Sequence, residues 1–220
     1  MKGKIYVLLF YLLIGYFSLS LLFIFIFNLT LNLKESMTNN DTIVLIGDSI
    51  LNNNMYVPIG KSVADNIKLI HGNNIIIGAK DGATIDTCYY QLNNIINSEN
   101  YYLFISIGGN DILNNSYEKL NIDGSDEFEK IKKKYIDFIN FIKKKYSKTK
   151  IYLLNLYFPT DEKYDKYKNI IIQWNKMISS ISSENVLRLD NLLTSPSDFT
   201  HGIEPSAIGS EKIAKLIANS

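Results

Sequence analysis

Residues 42–50 read Thr-Ile-Val-Leu-Ile-Gly-Asp-Ser-Ile. The run Thr42 to Ile46 is short, β-branched and apolar without alternation, the pattern of a strand buried on both faces in a parallel sheet. Gly47 and Asp48 then break it with turn chemistry, which leaves Ser49 displayed at the rim of whatever sheet the strand joins. Four further runs repeat the pattern: Asn74 to Ile77, Tyr102 to Ile107, Lys150 to Leu156 and Val186 to Leu189. Between them lie longer amphipathic stretches predicted as helices: Ser62 to Ile70, Asp86 to Ile96, Phe128 to Tyr146, Tyr167 to Ile181 and Ser206 to Ala218. In the third, Ile131, Tyr135, Phe138, Ile139 and Ile142 recur at helical spacing, and the lysine clusters fall largely off that stripe. Five strands interleaved with helices predict an α/β fold, a three-layer α/β/α sandwich around a central parallel sheet of about five strands. In such sheets ligands bind beyond the carboxyl ends of the strands.

Upstream of this domain, Ile5 to Phe27 is a stretch of 23 residues without a charge. As a helix it would match the hydrocarbon thickness of a bilayer, roughly 30 Å. Lys2 and Lys4 precede it, so the positive-inside rule keeps the N-terminus cytoplasmic and sends the rest of the chain to the other side. The expected organisation is an N-terminal transmembrane signal-anchor over 1–28, a tether over 29–40 and a catalytic domain over 41–220. A cleaved signal peptide is the competing reading, but its apolar region is normally shorter and ends at a small-x-small site; only Ser18-Leu19-Ser20 fits, in mid-stretch.

Composition removes several function classes. The 220 residues carry 23 basic and 22 acidic side chains, a formal charge of +1. No excess of positive charge is present to displace phosphate counterions, which argues against a nucleic-acid partner. A single cysteine, Cys88, excludes an internal disulfide framework and a multi-thiolate zinc site. With two histidines, His71 and His201, material for a metal centre is scarce, and no metal or organic cofactor is expected. Any imidazole chemistry must use one of these two. His71, before Gly72 at a helix end, reads as a partner of the last helical carbonyls. Cys88 reads as a small buried side chain.

The ends of the remaining strands supply complementary chemistry. Serine needs a base to become a nucleophile. Near the other end of the chain lies Asp198-Phe199-Thr200-His201, where a carboxylate three residues from an imidazole can meet it on one turn and hold its tautomer. The third strand ends in Gly108-Gly109-Asn110-Asp111; the glycines allow close backbone approach, and the Asn110 amide can donate to a developing oxyanion. After the second strand, Gly82 in Asp81-Gly82-Ala83-Thr84 can offer an unobstructed N–H to the same point. Asp111 reads as a helix cap.

Taken together, GDSI at 47–50, Gly82 in DGAT, GGND at 108–111 and DFTH at 198–201 resemble the four blocks of the SGNH, or GDSL-type, hydrolases. The resemblance implies a serine esterase without metal or cofactor: Ser49 as nucleophile, the N–H groups of Ser49 and Gly82 with the side chain of Asn110 as oxyanion hole, His201 as general base and acid, and Asp198 orienting it. The implied partners are small-molecule, lipid or glycan esters, with the membrane engaged through the N-terminal helix. Many relatives place proline directly after the histidine. Here Gly202-Ile203-Glu204 intervene before Pro205. Acyl transfer to a sugar hydroxyl and a non-catalytic binding module on the same fold are the alternatives. A metallophosphoesterase would draw on several histidines and carboxylates at one centre, which two distant histidines do not offer.

Overall fold

The computed structural model describes residues 15–23, 37, 38, 40–120, 125–182 and 185–220. Two units separate by their internal packing, 1–36 and 37–220. In the first, residues 15–23 are helical (α1). Most of the predicted anchor lies outside the described residues, and among the described residues no helix is long and apolar enough to cross a membrane.

The second unit is built on five parallel strands: β1 (Thr42–Gly47), β2 (Ile75–Ile77), β3 (Tyr101–Ser106), β4 (Lys150–Leu154) and β5 (Val186–Leu187), in the order β2-β1-β3-β4-β5. Strands β1 and β3 pair in register from Thr42 with Tyr101 to Gly47 with Ser106. Their apolar side chains are sealed on both faces; Leu45, Ile46, Phe104 and Ile105 are wholly buried, each contributing about 1.5–3 kcal/mol. That burial is why these strands lack the alternation of a half-exposed sheet.

The helices follow from capping and periodicity. Helix α2 (Val63–His71) opens with a reciprocal capping box between Ser62 and Asp65. Helix α3 (Ile85–Gln91) continues into a 3₁₀ turn at Leu92–Asn94, so the predicted single helix to Ile96 ends earlier. The short α4 (Gly109–Leu113) and α5 (Tyr117–Leu120) precede α6 (Asp126–Lys145), whose inner stripe Phe128, Ile131, Tyr135, Phe138, Ile139 and Ile142 is buried as its periodicity predicts. Its lysines face outward, Lys133 to Asp137 and Lys134 to Asp86. Helix α7 (Lys168–Ile181), the turn α8 (Leu189–Leu192), the hairpin of β6 (Phe199–Thr200) with β7 (Glu204–Pro205), and α9 (Ala207–Ala218) complete the chain.

Helix α2 packs on α9, while α6 packs on both α3 and α7. Right-handed crossovers put these groups on opposite faces, because the chain runs outward from β1 to β2 and then returns past β1 to β3, β4 and β5. The predicted α/β sandwich and parallel sheet are therefore present. The fourth strand stops at Leu154 rather than Leu156 because the Asn175 side chain takes over: it accepts from Leu156 N–H at 2.9 Å and donates to Leu156 C=O at 2.7 Å. His71 sits elsewhere than expected, its Nε2 being 3.0 Å from Asp41 C=O at the entry to β1 rather than at the helix-end carbonyls.

Candidate active site

The direction of chain progression reverses between β1 and β3, and a crevice opens there at the carboxyl ends of the strands. Gly47 makes the approach possible: its φ is +140°, and a Cβ there would stand 1.8 Å from Ser106 C=O. The Gln91 side chain clasps the same peptide, accepting from Gly47 N–H at 2.8 Å and donating to Gly47 C=O at 2.9 Å. The chain then turns through Asp48, whose Oδ1 accepts from Ile50 N–H at 3.1 Å, and presents Ser49 to a cleft of about 610 Å³, part of it open to solvent.

Asn110, in the first turn of α4, lines the same cleft. Its Nδ2 donates to Ala83 C=O at 2.9 Å, which ties it to the Gly82 turn and leaves the second amide hydrogen for a ligand. Gly82 has φ +70° and open space where a side chain would stand, so its peptide is unobstructed. Asp111 is structural as expected, though it caps another helix than its own: its Oδ2 accepts from Ile85 N–H of α3 at 3.0 Å.

Elsewhere the cleft wall is apolar, with Ile112, Leu113, Leu156, Tyr167, Ile171 and Ile203 among its lining. Into this wall are set carboxyls. Burial drives Asp48 up to about 8, reinforced by the charges of Glu204 and Asp111 and opposed by backbone N–H bonds. Burial thus favours the protonated form of Asp48 far more than in an exposed aspartate. Burial also raises Glu204, which lines the cleft along with Ser49; the Ser49 hydroxyl and the charge of His201 pull it back down, while Asp81 adds to the rise.

The expected Asp198–His201 pair does not form. Asp198 is wholly buried; its Oδ2 accepts from the N–H groups of Thr194 and Ser195, both at 3.0 Å, and its Oδ1 stands 2.7 Å from Lys212 Nζ. Burial alone would raise its pKa, but Lys212 and these two amides hold it below the ordinary carboxylate range. Its backbone C=O also accepts from Ser206 N–H at 2.8 Å. The residue organises the reversal from 194 to 206. His201 is exposed, outside the cleft lining, with a left-handed φ of 49° and its ring edge-on to Tyr56 at 5.7 Å. Two side chains three apart share a face on a helical turn, but residues 199 and 200 are extended here, so side chains alternate and the pair diverges.

Sequence reasoning passed over two residues that shape this site. Glu204 is one. The other is Asn53, wholly buried, whose Nδ2 donates to Pro205 C=O at 3.0 Å and to Ser210 Oγ at 2.6 Å, while its Oδ1 accepts from Val63 N–H at 3.0 Å. It clamps the loop after Ser49 to the start of α9. Three polar contacts by one amide leave no signature in a linear sequence rich in asparagine. Among the described residues, no group of three or more His, Cys, Asp and Glu is arranged to hold a metal ion.

No family model matches the chain, and no curated protein matches it. Solved structures do. A lipolytic protein of the G-D-S-L family from Veillonella parvula superposes with a TM-score of 0.63 at 16% identity, over 80% of this chain and 94% of its own. The extracellular lipase of Streptomyces rimosus gives 0.63 at 14% identity, over 80% and 98%. An acetylxylan esterase from Geobacillus stearothermophilus gives 0.58 at 14% identity, over 82% and 94%. With Ser49, the Gly82 turn and Asn110 on three successive strand ends of that shared architecture, the chain has the fold of the GDSL-type hydrolases.

Proposed function

We propose that this chain hydrolyses carboxylic esters, with Ser49 as the attacking nucleophile. The observation that carries this reading is the convergence of Ser49 and Asn110 on one apolar cleft at the strand-order reversal, beside the open Gly82 turn. Ser49 Oγ would attack the acyl carbon. The N–H groups of Ser49 and Gly82 and the free amide hydrogen of Asn110 would hold the oxyanion, each donor being worth about 2.7–4 kcal/mol in the transition state. The proton of Ser49 passes to an acid–base group on the loop 198–205 and from there to the leaving alcohol. Water then releases the acyl group by the same steps reversed.

The resemblance assigns that acid–base role to His201, oriented by Asp198. The apolar wall formed by Ile112, Leu113, Leu156 and Ile171 suits the acyl part of the substrate, the alcohol being a lipid, a glycan or another small molecule. The charge-free stretch 5–27 with Lys2 and Lys4 before it supports a single-pass anchor holding the domain outside the cytoplasm, next to such substrates.

Labelling with a fluorophosphonate probe tests the nucleophile. Wild-type protein should be modified at Ser49, and Ser49→Ala should not react. A natively folded wild-type chain that stays unlabelled and cleaves no p-nitrophenyl ester from acetate to octanoate would dismiss the proposal in favour of a binding role.

A further inference from the structure

The loop that was expected to deliver an imidazole to Ser49 delivers a carboxyl. We propose that Glu204 is the acid–base residue of this site, taking the Ser49 proton itself, while His201 acts from outside the cleft as a positioning charge. This rests on the ester-hydrolase reading and concerns only which group moves the proton.

Glu204 lies on the 198–205 loop and lines the cleft together with Ser49. It also occupies the place directly before the proline, where many GDSL-type relatives carry their histidine. Its backbone is pinned on both sides. Tyr157 Oη donates to Ile203 C=O at 2.6 Å, and Asn53 Nδ2 donates to Pro205 C=O at 3.0 Å. Across the hairpin, Glu204 pairs with Thr200. A glutamate at the entrance to a surface helix ordinarily extends into water. This one instead keeps Oε2 buried and without a hydrogen-bond partner, an arrangement that costs stability and leaves an acceptor free for a proton.

The surroundings keep that acceptor usable. Within electrostatic reach of Glu204 are Asp48, Tyr56, Asp81, Tyr157 and His201. Asp48 is the more deeply buried of the two carboxyls, and burial favours its protonated form. The charge of the pair therefore falls on Glu204, since two coupled acids ionise in sequence. Burial and Asp81 raise the basicity of Glu204 above that of a free glutamate, which is the direction a general base requires.

In the first step the Oγ–H bond of Ser49 breaks and its proton goes to the Glu204 carboxylate. The Oγ–C bond forms, and the carbonyl electron pair moves onto the oxygen. When the tetrahedral species collapses, the C–O bond to the leaving group breaks and the alkoxide takes the proton from Glu204. Water repeats the cycle, and the proton finally returns to Ser49. The sum is ester plus water to acid plus alcohol.

The test compares variants of the full-length chain in a mild non-ionic detergent, by p-nitrophenyl butyrate hydrolysis across pH 4 to 9. Glu204→Gln should lower kcat by about 10²–10⁴-fold with KM little changed. His201→Ala should cost less than about tenfold, the residual scale of a remote charge, and should move the acid limb of the profile upward, because the imidazolium lowers the Glu204 pKa. Glu204→His should retain turnover with the acid limb displaced toward the imidazole range, a change that a merely structural role would not produce. Loss of activity in His201→Ala with Glu204→Gln still active would overturn the proposal, as would a Glu204→His profile identical to wild type. Wild-type protein that neither turns over nor labels at Ser49 fails the hydrolase reading itself, and this proposal with it.

Discussion

Replacing Asp48 by asparagine should stabilise the domain by an amount that grows with pH. The carboxyl is 2% exposed, and its pKa is pushed up to about 8 from 3.8, first by burial. Between those two values the native state holds a proton that the unfolded chain has released. The folded-state pKa is the higher one, so this contribution to stability is fully present below about pH 4 and is lost as pH rises toward 8. At about 1.4 kcal/mol per pH unit, roughly four units set a ceiling on the order of 5 kcal/mol, about half of it reached at pH 6. The substituted amide would not titrate, and its side-chain oxygen can still accept from Ile50 N–H. The stability difference between variant and wild type should therefore start near zero at pH 4, widen to several kcal/mol at pH 8 and level off above. Urea denaturation of residues 37–220 at pH 4, 6 and 8 would measure it. Trp174, the single tryptophan and wholly buried, provides the fluorescence signal. A difference independent of pH, or one that favours wild type at pH 8, would refute the argument that Asp48 is buried as an acid.

Two other substitutions probe the site and its frame. Asn110→Ala removes the proposed oxyanion donor along with the bond to Ala83 C=O; if the proposal holds, kcat on p-nitrophenyl esters should fall about 10²–10³-fold with a smaller change in KM. Lys212→Met leaves the wholly buried Asp198 without its counter-charge. Because Lys212 is partly exposed and two backbone amides remain on Asp198, the expected loss is about 1–3 kcal/mol rather than the full cost of a broken buried pair. The Asp198 pKa is depressed, so the stabilisation exists above the ordinary carboxylate range and disappears as pH falls through the lowered value. Denaturation midpoints of wild type and variant should accordingly converge in acid.

The sheet was legible because burial on both faces writes a plain signal: Ile43 to Ile46 and Leu103 to Ile105 carry no polar side chain for solvent to meet before the strands end. The same logic located Ser49, Gly82 and Asn110, since residues that follow such strands must emerge at one edge. What stayed hidden depended on local backbone shape. Whether Asp198 meets His201 turns on residues 199 and 200 being extended rather than helical, and two-residue strands are too short to show a period. Nothing in the sequence links Lys212 to Asp198; only the packing of α9 against the 3₁₀ turn at Pro196–Asp198 makes it the partner of Asp198.

The clamp made by Asn53 has a consequence for synthesis. All five sheet strands have been made once residue 187 is in place, but Ser210, the second oxygen on the Asn53 amide, arrives well after that point. A nascent chain paused between those positions would own a finished scaffold and a serine with nothing to hold the opposite wall against it. Any chemistry at Ser49 would then wait for residues 205–210, the segment that the Asn53 amide holds in place.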